Sequence, residues 1–99
     1  MSTQLCRADE VAPGTMRQFQ IGDATINVCN VDGRFFAVGD ECPHRGGPLS
    51  EGELDGCVVT CPWHSFQYDV TTGQSITDPS LTIKQYSINN ADGMLSVDL

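Results

Sequence analysis

The stretch CPHRGGPLSEGELDGCVVTCPWH, residues 42–64, decides the fold of this chain. At its start Cys42 and His44 are separated by one proline, and at its end Cys61 and His64 are separated by two residues. The chain contains only these two histidines. Thiolate and imidazole groups are common metal ligands in proteins. The two short motifs therefore form a candidate metal site with two cysteines and two histidines.

Short β-rich runs separated by turn residues surround this stretch and predict strands. Asp32-Gly33 and Asp92-Gly93 each stand between two such runs and favour tight hairpins. Helical periodicity is absent except for one possible turn at residues 7–10. This pattern predicts an all-β domain, a small antiparallel sandwich or barrel, with both cysteine motifs starting at strand ends. The predicted strands are residues 16–21, 25–31, 34–38, 57–60, 66–70, 81–88 and 94–97, with a further short strand within 45–56.

Length and charge restrict the function further. A chain of 99 residues has the size of a single domain, and we expect one domain over residues 1–99. The net charge of −8 argues against nucleic acid as a partner, because phosphate binding requires a basic face. No apolar run approaches the ~20 residues that span a bilayer, and no secretory signal is evident. We therefore expect a cytoplasmic protein that does not bind a membrane.

The five cysteines predict reduced thiols rather than disulfides, since the number is odd and no export signal is evident. Three of them, Cys6, Cys29 and Cys57, lie in or beside strand-like runs outside the two motifs. A buried thiol behaves as a small apolar side chain, so we expect a structural role for these three. Cys57 is the nearest of them to the second motif.

The pattern Cys-x-His, sixteen intervening residues, then Cys-x-x-His resembles the signature of Rieske [2Fe–2S] proteins. The resemblance implies one [2Fe–2S] cluster, with Cys42 and Cys61 on an inner iron and His44 and His64 on an outer iron. Two imidazoles in place of two thiolates remove negative charge, which raises the reduction potential above that of four-cysteine clusters. It also implies a Rieske-like fold whose cluster-binding subdomain of two loops occupies about residues 40–80.

The resemblance extends to residues around the ligands. Gly46 and Gly47 would allow the backbone to approach the bridging sulfides. Trp63 is interpreted as packing over a loop. Tyr68 matches a tyrosine that the family keeps beside the cluster. Pro79 resembles the proline of a third loop that shields such clusters.

The chain departs from the Rieske proteins of respiratory bc-type complexes at several positions. Those proteins carry an extra cysteine in each loop, forming a disulfide, where this chain has Gly47 and Trp63. They also carry a serine hydroxyl donor where this chain has Phe66. Because fewer donors stabilise the reduced cluster less, we expect a potential near the ~−150 mV end of the Rieske range.

The resemblance implies a soluble one-electron carrier, a ferredoxin, rather than an enzyme. Its partners would be a flavin-dependent ferredoxin reductase and a terminal oxygenase that hydroxylates aromatic rings. With both histidines on the cluster, no site of two histidines and one carboxylate remains for catalytic iron. We expect a monomer. Acidic residues near the motifs form either a docking face for a partner or ordinary solvated charge: Asp40, Glu41, Glu51, Glu53 and Asp55.

Three alternatives stay open. Small subunits of NAD(P)H-dependent nitrite reductases resemble the same fold, so the chain could instead be such a subunit. Zinc also accepts two cysteines and two histidines, although common zinc motifs pair cysteine with cysteine and histidine with histidine. A nucleophilic Cys–His pair is the enzymatic alternative, but it leaves the duplicated motif unexplained.

Overall fold

The computed structural model describes residues 2–42, 47–63 and 65–98. In these ranges the chain forms nine strands and two single turns of 3-10 helix, at Ala8–Glu10 and Leu49–Glu51. The all-β class predicted from the sequence is confirmed. The strands are β1 Ser2–Arg7, β2 Met16–Ile21, β3 Ala24–Val31, β4 Arg34–Gly39, β5 Glu53–Asp55, β6 Val58–Thr60, β7 Gln67–Asp69, β8 Gln85–Ala91 and β9 Met94–Asp98.

The strands form two antiparallel sheets. The larger sheet has the order β1-β9-β8-β4-β3-β2, and the smaller sheet has the order β5-β6-β7. Both predicted Asp-Gly hairpins are present in the larger sheet. Asp32 and Gly33 have φ values of 52° and 90°, and Asp92 and Gly93 have φ values of 53° and 84°. Two successive residues with positive φ match the twist of the flanking strands, which fixes the register of each hairpin.

Two hydrophobic cores result, and strand β3 is buried between them. Ile26 and Val28 face the first core, which lies within the larger sheet. Cys29, which has the opposite orientation in the alternating strand, faces the second core. This second core joins the larger sheet to the smaller one and contains Cys42 and Cys61. The candidate metal ligands therefore rest on a packed apolar base.

The structure differs from the predicted strands in two places. Strand β1 was not predicted, because its sequence has few apolar residues; it is held by pairing with β9, and its own Cys6 side chain is buried in the first core. Strand β8 was predicted over residues 81–88 but begins at Gln85. The preceding segment leaves the sheet because the amide of Ile83 donates to the carbonyl of Gly73 at 2.7 Å, in the turn after β7.

Within the described ranges, no helix is both long and apolar enough to cross a membrane.

Candidate metal centre

The two motif cysteines lie at the ends of strands and point into one core. Cys42 follows the end of β4 closely, and Cys61 follows β6 directly. Their exposed fractions are 0% and 1%. Both belong to the second core, so the fold brings together two thiols that are separated by eighteen residues of sequence.

The two cysteine loops are closed in the same way. The amide of Cys42 donates to the carbonyl of Gly47 at 2.9 Å, and the amide of Cys61 donates to the carbonyl of Phe66 at 2.8 Å. In each case the backbone amide of the cysteine donates a hydrogen bond to the carbonyl of the residue five positions later. The second loop has an additional bond from the amide of Ser65 to the carbonyl of Cys61 at 3.0 Å. The repeated sequence motif therefore corresponds to a repeated backbone construction.

Both predicted imidazole ligands lie outside the described residues, as does the predicted neighbour Gly46. The roles assigned to His44 and His64 therefore stay predictions. Across residues 2–42, 47–63 and 65–98, no three His, Cys, Asp or Glu side chains come together as a metal site. The described part of the centre consists of two thiols and the groups around them.

Gly47 and Trp63 bring the two loops into contact. A Cβ atom built on Gly47 would lie 3.1 Å from Sγ of Cys61 and 3.0 Å from atoms of the Trp63 ring. Only glycine allows the first loop to come this close to the second without displacing it. Trp63 keeps 59% of its surface exposed, so one part of the indole packs on the loop and the rest faces solvent.

These features fit a [2Fe–2S] cluster. Thiolates are the ligands that iron–sulfur clusters prefer. Two buried thiols, with glycine backbone packed against one of them, provide soft ligands and allow close backbone approach to sulfur. The apolar core that buries the two thiols would shield the iron held by them from water.

Tyr68 adds a hydrogen bond to the first thiol. Its side chain is fully buried on β7, and its hydroxyl lies 3.1 Å from Sγ of Cys42. Burial, the hydrogen bond with Cys42 and the nearby charge of Cys42 and Cys61 all raise the pKa of Tyr68. The hydroxyl therefore keeps its proton and donates to a Cys42 thiolate.

Replacing Tyr68 by phenylalanine should lower the reduction potential. The hydroxyl stabilises the more negative, reduced state, so its loss should shift the midpoint downward by on the order of 40 mV if ~1 kcal/mol is lost. A redox titration followed by visible absorption measures the shift. Tyr86→Phe is the control, because Tyr86 packs against the first core. Equal shifts in the two variants would contradict the role of the Tyr68 hydroxyl.

The structure corrects the expectation for one of the acidic residues. Asp40 was expected on the surface, but it is only 3% exposed. Its carboxylate accepts hydrogen bonds from the amide and the hydroxyl of Ser50 at 2.6 and 2.7 Å. No local pattern relates it to a residue ten positions later, which is why the sequence did not reveal this contact. The other four acids are exposed: Glu41, Glu51, Glu53 and Asp55.

Pro79 lies exposed in the segment between β7 and β8. Its carbonyl accepts a hydrogen bond from the side-chain amide of Gln74 at 3.3 Å. This contact orders the segment locally, and the shielding role assigned to Pro79 stays a prediction.

Comparison with known proteins gives consistent relatives. Residues 1–87 match the Rieske [2Fe-2S] domain. The ferredoxin component of biphenyl 2,3-dioxygenase from Rhodococcus jostii is 42% identical over 78 residues, which cover 79% of this chain and 73% of that protein. Ferredoxin CarAc from Metapseudomonas resinovorans is 39% identical over 77 residues, which cover 77% of this chain and 72% of that protein.

Solved structures agree. A chain in the complex of reduced oxygenase and oxidized ferredoxin in carbazole 1,9a-dioxygenase superposes with a TM-score of 0.91 at 33% identity, over 97% of this chain and 100% of that chain. The small subunit of an NADH-dependent nitrite reductase from Mycobacterium tuberculosis superposes with a TM-score of 0.88 over 98% of this chain and 93% of that chain, but its 23% identity shows a shared fold alone. The chain belongs to the Rieske [2Fe-2S] domain family, and the cofactor of this family is a Rieske-type [2Fe–2S] cluster.

Proposed function

We propose that this protein is a cytoplasmic one-electron carrier between a flavin-dependent ferredoxin reductase and a terminal oxygenase that hydroxylates aromatic rings. The observation that carries the proposal is the pair of buried thiols on two matched loops. The similarity to ferredoxin components of dioxygenase systems supports the oxygenase as the electron acceptor. When bound, the [2Fe–2S] cluster supplies reversible one-electron chemistry.

We assign four ligands to the cluster in one domain, with the cluster-binding part at about residues 40–80. Cys42 and Cys61 hold the inner iron from the second core. His44 and His64 complete the set on the outer iron, as the Rieske motif of the sequence implies. Neutral imidazoles tolerate a position near solvent better than thiolates, which suits an exit for electrons.

The burial of the thiols favours a carrier over a nucleophilic enzyme. A catalytic thiolate must reach its substrate, whereas Cys42 and Cys61 are at most 1% exposed. Electron transfer has no such requirement, because the electron passes without contact between the sulfur atom and the partner. The colour of the purified protein distinguishes a zinc site from a Rieske centre, since a zinc protein is colourless and a Rieske centre is red-brown.

The surface beside the second loop suits a basic partner. Glu51 and Glu53 line an open cleft of about 320 Å³ together with Cys61 and Pro62. Trp63 is one of two large hydrophobic side chains exposed in the described ranges. Trp63 follows Pro62 of this acid-lined cleft in the chain, and an exposed aromatic side chain near acids fits the apolar centre and charged rim of protein interfaces. We propose that a monomer presents this surface to the oxygenase.

The electron-transfer rate should fall as ionic strength rises through about 0.1 M, where the screening length is about 10 Å. Glu51→Gln combined with Glu53→Gln should slow transfer at low salt and remove most of the salt dependence. Asp92→Asn, in the hairpin between β8 and β9, is the control and should behave as the unchanged protein. Stopped-flow oxidation of the reduced protein by the oxygenase measures the rate. An electron-transfer rate that does not depend on salt would show that these acids are ordinary solvated charges and do not dock the partner.

The function itself is tested by reconstitution. A reductase and an aromatic-ring oxygenase should consume oxygen only when this protein is added. The nitrite reductase alternative predicts instead a stable association with a sirohaem-containing subunit. Oxygen consumption that is independent of the added protein, with every candidate oxygenase, would count against the proposal.

A further inference from the structure

A buried carboxylate lies at the base of the first cysteine loop. Asp40 accepts hydrogen bonds from the amide and hydroxyl of Ser50 and from the side-chain amide of Gln18. All three of these donors are neutral groups, and the carboxylate accepts each of the bonds. In the described ranges the two ion pairs join Arg7 to Asp9 and Arg17 to Glu10, so neither of them includes Asp40.

The same residue joins both ends of the loop to the larger sheet. The amide of Asp40 donates to the carbonyl of Thr25 on β3 at 3.0 Å, and its own carbonyl accepts from the amide of Leu49 at 3.2 Å. The bonds from Ser50 connect the carboxylate to the segment that follows the loop. Gln18 adds a contact from β2. The entrance and the exit of the first loop are therefore fixed to one residue, through its backbone and its carboxylate.

Asp40 is also close to the proposed ligand Cys42. Two residues of extended chain span at most about 7 Å. Inside a protein, charge acts through a much lower effective dielectric constant than in water. A buried negative charge two residues along the chain from Cys42 disfavours the addition of an electron to a group that Cys42 holds.

We infer that Asp40 is a positioning residue that holds the first cluster loop on the sheet, and that its buried negative charge lowers the reduction potential of the cluster. The inference rests on the cluster being bound at Cys42 and Cys61. It is independent of which partner receives the electron, so the identity of the oxygenase does not affect its test.

Two substitutions with opposite electrostatic effects test the inference. Asp40→Asn keeps the shape and removes the charge, so the midpoint potential should rise. Ser50→Ala keeps the charge and removes one donor, so the carboxylate is less compensated and the midpoint should fall. In both variants the cluster should be lost to a chelator roughly tenfold faster, the effect of losing one hydrogen bond to a charged group. Asp55→Asn is the control, because Asp55 is an exposed acid. Solvent and salt screen its charge, so the substitution should change the midpoint potential little.

The directions in which the midpoint potential shifts in the two variants decide whether the inference holds. A purely structural role would speed cluster loss in both variants without moving the midpoint in opposite directions. A midpoint of Asp40→Asn that is unchanged or lowered would overturn the inference. If Asp40→Asn does not retain its cluster, Ser50→Ala still decides: a lowered midpoint supports the inference, and an unchanged or raised midpoint overturns it.

Discussion

Replacing Cys61 by alanine should abolish cluster binding and give a colourless protein. The thiol of Cys61 lies in the second core against the backbone of Gly47, and the described structure places no other thiol on this loop. Removing a ligand from a set of four would leave iron with an open position, and the other thiols that contact the second core, Cys29 and Cys57, lie outside the two cluster loops. Iron and inorganic sulfide per chain, with the visible spectrum, measure the loss.

Cys57→Ala provides a matched control for this experiment. Cys57 lies four residues before Cys61, and its thiol forms a hydrogen bond with the carboxylate of Asp69. Because this contact lies outside the two loops, the Cys57 variant should retain iron and sulfide at the level of the unchanged protein. Full sulfide in the Cys61 variant, or equal loss in both, would contradict the assignment of Cys61 as a ligand.

Gly52→Ala should strongly destabilise the smaller sheet. A Cβ atom on Gly52 would lie 1.8 Å from the carbonyl oxygen of Thr60, the residue that precedes Cys61. The φ of Gly52 is −85°, so close packing rather than backbone conformation requires glycine here. Strand β5 would have to move away from β6, since a backbone oxygen cannot rotate aside. We expect a loss of about 3 kcal/mol, the upper range for overpacked sites.

That loss corresponds to a fall in Tm of roughly 10–20 °C for a domain of this size. The cluster content should fall as well, because the clash falls on Thr60, the last residue of β6, which leads directly into the second loop. Gly56→Ala is the control: Gly56 has a φ of +61° but no atom within 4 Å of an added Cβ. Its cost should stay near 1 kcal/mol. Thermal denaturation followed by circular dichroism compares the two, and equal Tm values would show that the contact of Gly52 with Thr60 is unimportant.

Local patterns predicted the features that depend on local interactions. The bounds of β2 agree with the run of residues 16–21, and both Asp-Gly turns form the expected hairpins. These elements are determined by alternation and by positive φ, which neighbouring residues encode. The pairs of motif residues likewise predicted two similar loops, and the backbone repeats the same closure in each.

Features that depend on distant contacts were not predictable from the sequence. Strand β1 exists because β9 pairs with it from the other end of the chain. The burial of Asp40 has no local signal in the sequence, since its partners Gln18 and Ser50 lie far away along the chain. The contact of Gly47 with Trp63 likewise depends on how the two loops meet. Packing between elements, rather than local preference, determines each of these features.

The central claim is that two cysteines and the only two histidines of the chain hold one [2Fe–2S] cluster. Pulsed electron paramagnetic resonance of the reduced protein, prepared with ¹⁵N-labelled histidine, tests it most directly. We expect strong couplings from two histidine nitrogens, which shift in frequency on ¹⁵N labelling and fall to one in His44→Cys. A reduced cluster without histidine nitrogen coupling would show that histidine does not ligate the iron.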